Sequence, residues 1–279
     1  MQRLQVKLKE VFISDVHLPF QDDDALDLTF EIIRDYKPSL VWLGGDIIDG
    51  YALSSWLTSS QINLKEEIFA AESFFERLRK ICPNAEIVWQ MGNHEVRFLR
   101  YILKKASKLE DLILLKRGLS IEDIFLTEKF KIKIVDGPAL IGKLYHLHGH
   151  EKRNYGNIVH VALNMLRWLH KSVIFGHFHV LQRFPIKEVD ATYKEAYANP
   201  SLIDIKKMPY EGYLSVDSFM RGFSLVNYYE NDLFHVQQLL FLERNNKYLL
   251  NYNNEMIMWE RKRVNSSIKY TKKTALKIN

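Results

Sequence analysis

Short apolar runs lead, one after another, straight into small polar islands across the first two thirds of the chain. Val11-Phe12-Ile13 runs into Asp15-Val16-His17, and Leu40-Val41-Trp42-Leu43 into Gly45-Asp46. Ile87-Val88-Trp89 precedes Gly92-Asn93-His94-Glu95, Leu144-Tyr145 precedes His148-Gly149, and Val173-Ile174-Phe175 precedes Gly176-His177-Phe178-His179. In sheet proteins, ligands and catalytic groups collect beyond strand ends, where loops from neighbouring strands converge. Islands far apart in sequence can therefore build one site. Side chains two residues apart on an extended segment share a face, so Asp15 with His17, and His177 with His179, are expected to aim as pairs.

Helical periodicity fills the gaps between these runs, over 24–36 before Pro38, 65–81 before Pro83, 96–105 after the Asn-His island, and 158–170. Alternation of strands and helices up to His179 predicts a layered α/β sheet with helices outside. Beyond Gly176 the pattern changes to short alternating segments, 181–184, 195–198, 224–229 and 234–242, which predict antiparallel strands completing a second sheet. A chain of 279 residues, 47% hydrophobic, suits one sizeable core, expected over 1–260. Trp42 and Trp89 read as core residues, and His160, His170 and His235 as ordinary histidines.

Carboxylate and amide oxygens with imidazole nitrogens suit a divalent ion such as manganese, with iron, zinc or nickel also accommodated. The lone cysteine, Cys82, excludes disulfides and thiolate clusters within the chain and fits a reducing cytoplasm. No run approaches the ~18–20 apolar residues of a membrane span, and no signal-peptide core precedes Asp15, so a soluble, unexported protein without membrane contact is expected. Gly44-Gly45 lacks the further glycines or Gly-Lys-Ser/Thr of a nucleotide loop. These glycines are expected to let backbone approach the metals.

A lone Asp-x-His or His-x-His is commonly a turn or a half-buried polar pair. In order, however, Asp15-Val16-His17, Gly45-Asp46-Ile47-Ile48-Asp49, Gly92-Asn93-His94-Glu95, His148-Gly149 and Gly176-His177-Phe178-His179 resemble the calcineurin-like metallophosphoesterase superfamily. Asn199-Pro200-Ser201 is similar to the Asn-Pro-Gly-Ser turn of the bacterial and phage-type phosphodiesterase branch, without its glycine. Arg221-Gly222-Phe223 is similar to the start of that branch's last strands. The resemblance implies a four-layer αββα sandwich, two mixed β-sheets flanked by helices. It also implies that Asp15, His17 and His179 hold one metal, that Asn93, His148 and His177 hold a second, and that Asp46 bridges them. His94 would face the leaving group, with Asp49 orienting it. Gly50 stands where the phosphoprotein-phosphatase branch has arginine, which disfavours that branch. Of the alternating His146, His148 and His150, His148 matches the family; His146 is the second candidate, and His150 is expected to meet substrate. Arg97 is expected to face substrate phosphate, the alternative being a surface pair with Glu95.

Two ions about 3.5–4 Å apart clamp the attacking and leaving oxygens, and coordination lowers the pKa of a water to about 7. A bridging hydroxide is the expected nucleophile, with His94 serving the leaving group for about 10²–10⁴-fold. The expectation is a dinuclear-metal phosphoester hydrolase, specifically a phosphodiesterase on nucleic acid or nucleotide diesters. A phosphomonoesterase and a non-catalytic interaction module are the alternatives. The net charge of +5 is concentrated at one end: seven Lys/Arg and no acid lie in 261–279, while 1–260 holds 32 basic and 34 acidic residues. DNA or RNA is therefore expected to engage this C-terminal arm, against the alternative of a solvated tail. Stretches 51–63 and 107–133 are expected to overhang the metals. Neither substrate nor oligomeric state is readable.

Overall fold

A computed structural model describes residues 4–53, 62–105, 120–152, 158–207 and 219–260. The basic arm 261–279, and residues 54–61 and 107–119 of the two candidate overhangs, lie outside them.

Strand β1 (Leu8–Ile13) shows why the chain layers. Its period-two alternation sends Val11 and Ile13 into a cluster with Phe30, Ile33 and Phe75, and Phe12 into another with Trp42, Ile174 and Tyr197. Helices α1 (Asp23–Tyr36), α2 (Leu64–Ile81), α3 (Asn93–Lys105) and the short α4 (Ile121–Ile124) alternate with β2 (Leu40–Leu43), β3 (Glu86–Gln90) and β4 (Ile132–Val135). There follow β5 (Ala139–Ile141), β6 (Leu144–Leu147), α5 (Val161–Leu169), β7 (Ser172–Phe175), β8 (Gln182–Lys187) and β9 (Tyr193–Ala198). Strands β10 (Gly222–Tyr228), β11 (Phe234–Leu240), β12 (Leu242–Arg244), β13 (Lys247–Tyr252) and β14 (Glu255–Glu260) close the described chain.

The first sheet runs β11-β10-β1-β2-β3-β4 and the second β5-β6-β7-β9-β8, each mixing parallel and antiparallel pairs. Apolar side chains fill the space between the sheets, and α5 covers the second through Val161, Met165 and Leu166 against Leu147, Val173 and Phe175. The order helix, sheet, sheet, helix is the αββα sandwich expected.

Four details differ from the sequence reading. Strands β10 and β11 do not extend the second sheet; β10 pairs antiparallel with β1, from Leu8↔Tyr228 to Phe12↔Ser224. They cover an edge of β1 that would otherwise present unpaired amides, and a local alternation pattern carries no mark of which sheet a strand joins. Helix α3 begins at Asn93, so the third island is itself a helical first turn. Helix α5 is shorter than 158–170, because 158–160 tightens into a 3₁₀ turn and His170 ends it in the left-handed region, φ 56°. Finally, β12, β13 and β14 form a small antiparallel sheet, unforeseen as a unit, that packs Tyr248, Leu250 and Trp259 into the α1–α2 cluster.

Asp22 ties that addition to the rest. It caps α1 by accepting the Ala25 amide at 3.0 Å, accepts the Tyr248 hydroxyl, and lies 2.9 Å from Arg221 Nε. Asp22→Ala removes a cap, the acceptor of the Tyr248 hydroxyl and the nearest of three carboxylates around Arg221, with Asp204 at 3.7 Å and Glu243 at 3.6 Å remaining, so a loss of about 2 kcal/mol is expected in urea unfolding. A change under about 1 kcal/mol would contradict this role.

Trp42 and Trp89 are buried as expected, Trp42 Nε1 donating to Gln90 at 3.0 Å. His160, His170 and His235 are exposed. Among the described residues, no helix is long and apolar enough to cross a membrane.

Candidate metal centre

The islands meet just beyond the C-terminal ends of β1, β2 and β3 in one sheet and β6 and β7 in the other. Asp15, His17, Asp46, His177 and His179 all have positive φ, from 52° to 72°. An L-residue occupies that region at a cost, and such residues gather where a site demands them. Left-handed turns after the strands end, rather than extended alternation, therefore aim these side chains; they bring Asp15 and His17 together but send His179 to that pair and His177 to Asp46 and His148.

Three donor groups converge with ligand atoms within 4.8 Å of one another: Asp15, His17 and His179; Asp46, His148 and His177; and His17, Asp49 and His94. His17 Nε2 lies 3.3 Å from His179 Nε2, and Asp46 Oδ2 lies 3.1 Å from His148 Nε2. Asn93 Oδ1 sits 3.1 Å from the same His148 nitrogen. With both Nε2 atoms of His17 and His179 deprotonated, as metal ligands must be, the two nitrogens would repel unless a cation were shared between them, so the donor set fits divalent ions. The protein also turns these nitrogens inward. His17 Nδ1 pairs with Asp49 Oδ2 at 2.9 Å and His148 Nδ1 with the Gly44 carbonyl at 2.8 Å, which leaves each Nε2 facing the cleft.

Electrostatics follow the geometry. Burial opposes ionisation of Asp46, but His148, His94 and His17 around it prevail and hold its carboxyl well below the usual range. Burial likewise opposes ionisation of Asp15, and His179 prevails. Burial would lower His148, yet Asp46 and Asp15 carry it up to about 10. For His177, burial and the neighbouring His148 act together and bring it down to about 3.

His94 lies part-buried at the same cleft, its Nε2 3.8 Å from Asp46 Oδ2 and 3.3 Å from Arg97 Nη2. Its Nδ1 is closer to the Asp49 carbonyl, 2.5 Å, than to the Asp49 carboxylate, 3.5 Å. The expected orienting carboxylate thus turns toward His17, and the backbone of the same residue holds His94. His150 stands half-exposed beside this group, its ring 5.3 Å from His148 and 6.4 Å from His177. His146, the second candidate, lies deeper between the sheets, 2.8 Å from Glu10, its ring tilted 45° to that of Trp42 with centroids 4.6 Å apart. Glu10 also accepts the Tyr228 hydroxyl at 2.7 Å, so His146 belongs to a buried polar pair.

Supporting carboxylates escaped the sequence reading. Glu95 is fully buried, not paired with Arg97 at the surface: it accepts the amides of Asp46 at 3.0 Å, Ile47 at 2.7 Å and Gly92 at 2.8 Å. Burial and the Asp46 carboxylate raise its pKa. Glu151 accepts the amides of His148 and Gly149 at 3.0 and 2.6 Å. Asn199 bridges the sheets, donating to Ser14 Oγ at 3.0 Å and accepting from Ser224 Oγ at 2.7 Å, which gives the Asn-Pro-Ser motif a structural part. Glu67 on α2 accepts the Ala52 amide at 2.7 Å. A signal for Glu67 was present: it interrupts the apolar stripe of Ala71, Phe74, Phe75 and Leu78.

Burial pushes the Glu67 carboxyl up to about 7, Asp49 adding to the rise and the Ala52 amide opposing it. The folded chain thus holds this proton more tightly than the unfolded chain, whose value is near 4.5. The stabilisation is complete below about 4.5 and is lost as pH rises toward about 7, up to about 3 kcal/mol. Urea unfolding of the metal-free chain at pH 5 and pH 8, referenced to Glu67→Gln, tests this. Equal pH dependence in both proteins would refute it.

The sequence profile of the calcineurin-like phosphoesterase family matches residues 8–191. No curated protein matches the chain. Among solved structures, Vacuolar Protein Sorting 29 of Cryptosporidium parvum is 15% identical, covers 92% of this chain and 100% of its own, and has a TM-score of 0.44. Nuclease MPE of Pseudomonas putida is 14% identical over 78% of this chain and 84% of its own, TM-score 0.36. The phosphoesterase Yfce of E. coli is 15% identical over 83% and 98%, TM-score 0.36. Because the profile match runs through all five islands, from β1 to the turn after β8, the chain belongs to the calcineurin-like phosphoesterase family.

Proposed function

We propose that this chain is a dinuclear-metal-dependent phosphodiesterase, preferring manganese, that acts on nucleic acid or nucleotide diesters. The observation that most supports this reading is the position of His94, whose Nε2 lies 3.8 Å from Asp46 Oδ2 at the cleft where the Asp15–His17–His179 and Asp46–His148–His177 groups converge. Two divalent ions, once bound, neutralise phosphoryl charge and activate water at neutral pH. Asp15, His17 and His179 would hold one ion and Asn93, His148 and His177 the other, with the Asp46 carboxylate available to both. His94, with one N–H donated to the Asp49 carbonyl, would turn Nε2 to the leaving oxygen and, as the doubly protonated ring, pass it the Nε2 proton, while Arg97 and His150 face the non-reacting phosphoryl oxygens. The catalytic domain spans 1–260, and the basic arm 261–279 adds phosphate-backbone attraction in the cytoplasm.

The test is hydrolysis of bis-p-nitrophenyl phosphate alongside p-nitrophenyl phosphate with manganese added. Faster diester cleavage, lowered about 10²–10⁴-fold in His94→Ala with both metals kept, is expected. Monoester preference would make the enzyme a phosphomonoesterase. Two bound metals without turnover of either ester would favour a non-catalytic interaction module. Truncation after Glu260 is expected to weaken nucleic-acid binding and flatten its salt dependence; unchanged binding would remove the arm from the proposal.

A further inference from the structure

The Asp49–Gly50 peptide has two neighbours on opposite sides. Its carbonyl accepts from His94 Nδ1 at 2.5 Å, and its amide donates to the carboxylate of Glu67. Glu67 stands on α2, almost fully buried, and holds the next turn through the Ala52 amide as well. Asp49 and Arg97 are the charged groups near it. A carboxylate on the N–H side of a peptide strengthens the carbonyl on the other side as an acceptor, because hydrogen bonds in series polarise one another in a poorly screened interior.

We propose that Glu67 is a positioning residue for the leaving-group step, acting on His94 through the Asp49–Gly50 peptide. The inference rests on the phosphodiesterase reading above. Glu67 fixes the orientation of that peptide, the peptide fixes His94 Nδ1–H, and His94 is left with Nε2 directed at the departing oxygen. Glu67 itself contacts neither substrate nor metal ligand. Its effect should therefore scale with how much help the leaving group needs.

The experiment compares the unaltered chain with Glu67→Gln, Glu67→Asp and His94→Ala at pH 8, manganese-loaded, on aryl methyl phosphodiesters running from p-nitrophenol to phenol as leaving group. Glutamine loses the charge and one acceptor oxygen; aspartate keeps the charge and shortens the reach. Both are expected to retain two metals and near-normal KM, losing about threefold in kcat for p-nitrophenolate and about tenfold more for phenolate. His94→Ala is expected to show the same steepened dependence, more strongly. A uniform loss across the series, or a loss explained by missing metal, would overturn the positioning role while leaving the phosphodiesterase reading intact. Unfolding of both Glu67 variants would overturn it too, by assigning the residue to folding. Absence of turnover by the unaltered chain with two metals bound would overturn both.

Discussion

Asp46→Asn is expected to release one of two manganese ions and to lower kcat/KM by about 10³-fold or more. Asparagine keeps the shape and the oxygen that accepts the His94 amide at 2.9 Å. It loses the charge that His148, His94 and His17 surround at 3.1, 3.8 and 4.0 Å. Two divalent ions close together repel, and a neutral amide offsets none of that repulsion. A thousandfold loss corresponds to about 4 kcal/mol of transition-state stabilisation, a reasonable share for one metal acting as Lewis acid. Metal stoichiometry by plasma emission and steady-state kinetics on the diester check it. Two retained ions with kcat/KM within tenfold of normal would show that Asp46 does not bridge.

Gly92→Ala is expected to be nearly as severe, for a steric reason. A Cβ at this position falls 2.3 Å from Asp46 Oδ1 and 2.5 Å from the Asp46 amide nitrogen. The nitrogen cannot retreat, because Glu95 holds the amides of Asp46, Ile47 and Gly92 together. Relief must come from displacing the Asp46 carboxylate or tilting the first turn of α3, which carries Asn93 and His94. Small misplacements at a metal centre cost about 10²-fold, and overpacking a tight contact costs about 1–3 kcal/mol of stability. Normal metal content with activity within threefold would mean that the loop yields easily and that Gly92 is incidental.

The site was more legible in the sequence than the topology. Asp15, Asp46, His148 and His177 could be named as candidates that converge because each sits one or a few residues past a buried strand, so local order translates into spatial order. Strand pairing is not local. Nothing in Ser224-Leu225-Val226 distinguishes an edge on β1 from an edge on the second sheet, and only the path of the chain after Asn199 decides it. The supporting carboxylates were obscured for a related reason. In sequence, the alternative for Glu95 is a surface pair with Arg97, and Glu67 is marked only by its place in an apolar stripe; the burial of both depends on a loop more than a dozen residues away. His146 and His148 look equivalent in sequence; depth between the sheets separates a histidine paired with Glu10 from one beside Asp46.

Because β1, β2 and β3 contribute Asp15, His17, Asp46 and Asn93 from one sheet while β6 and β7 contribute His148, His177 and His179 from the other, bound ions would fasten the two halves of the sandwich. Each ion then behaves as a removable cross-link whose strength the surrounding solution sets. At a free concentration one hundred times its dissociation constant, an ion bound only by the folded chain adds about 2.7 kcal/mol to stability. Chelation would loosen the joint between the sheets before it unfolded either of them, opening to proteases a seam that the loaded protein keeps shut.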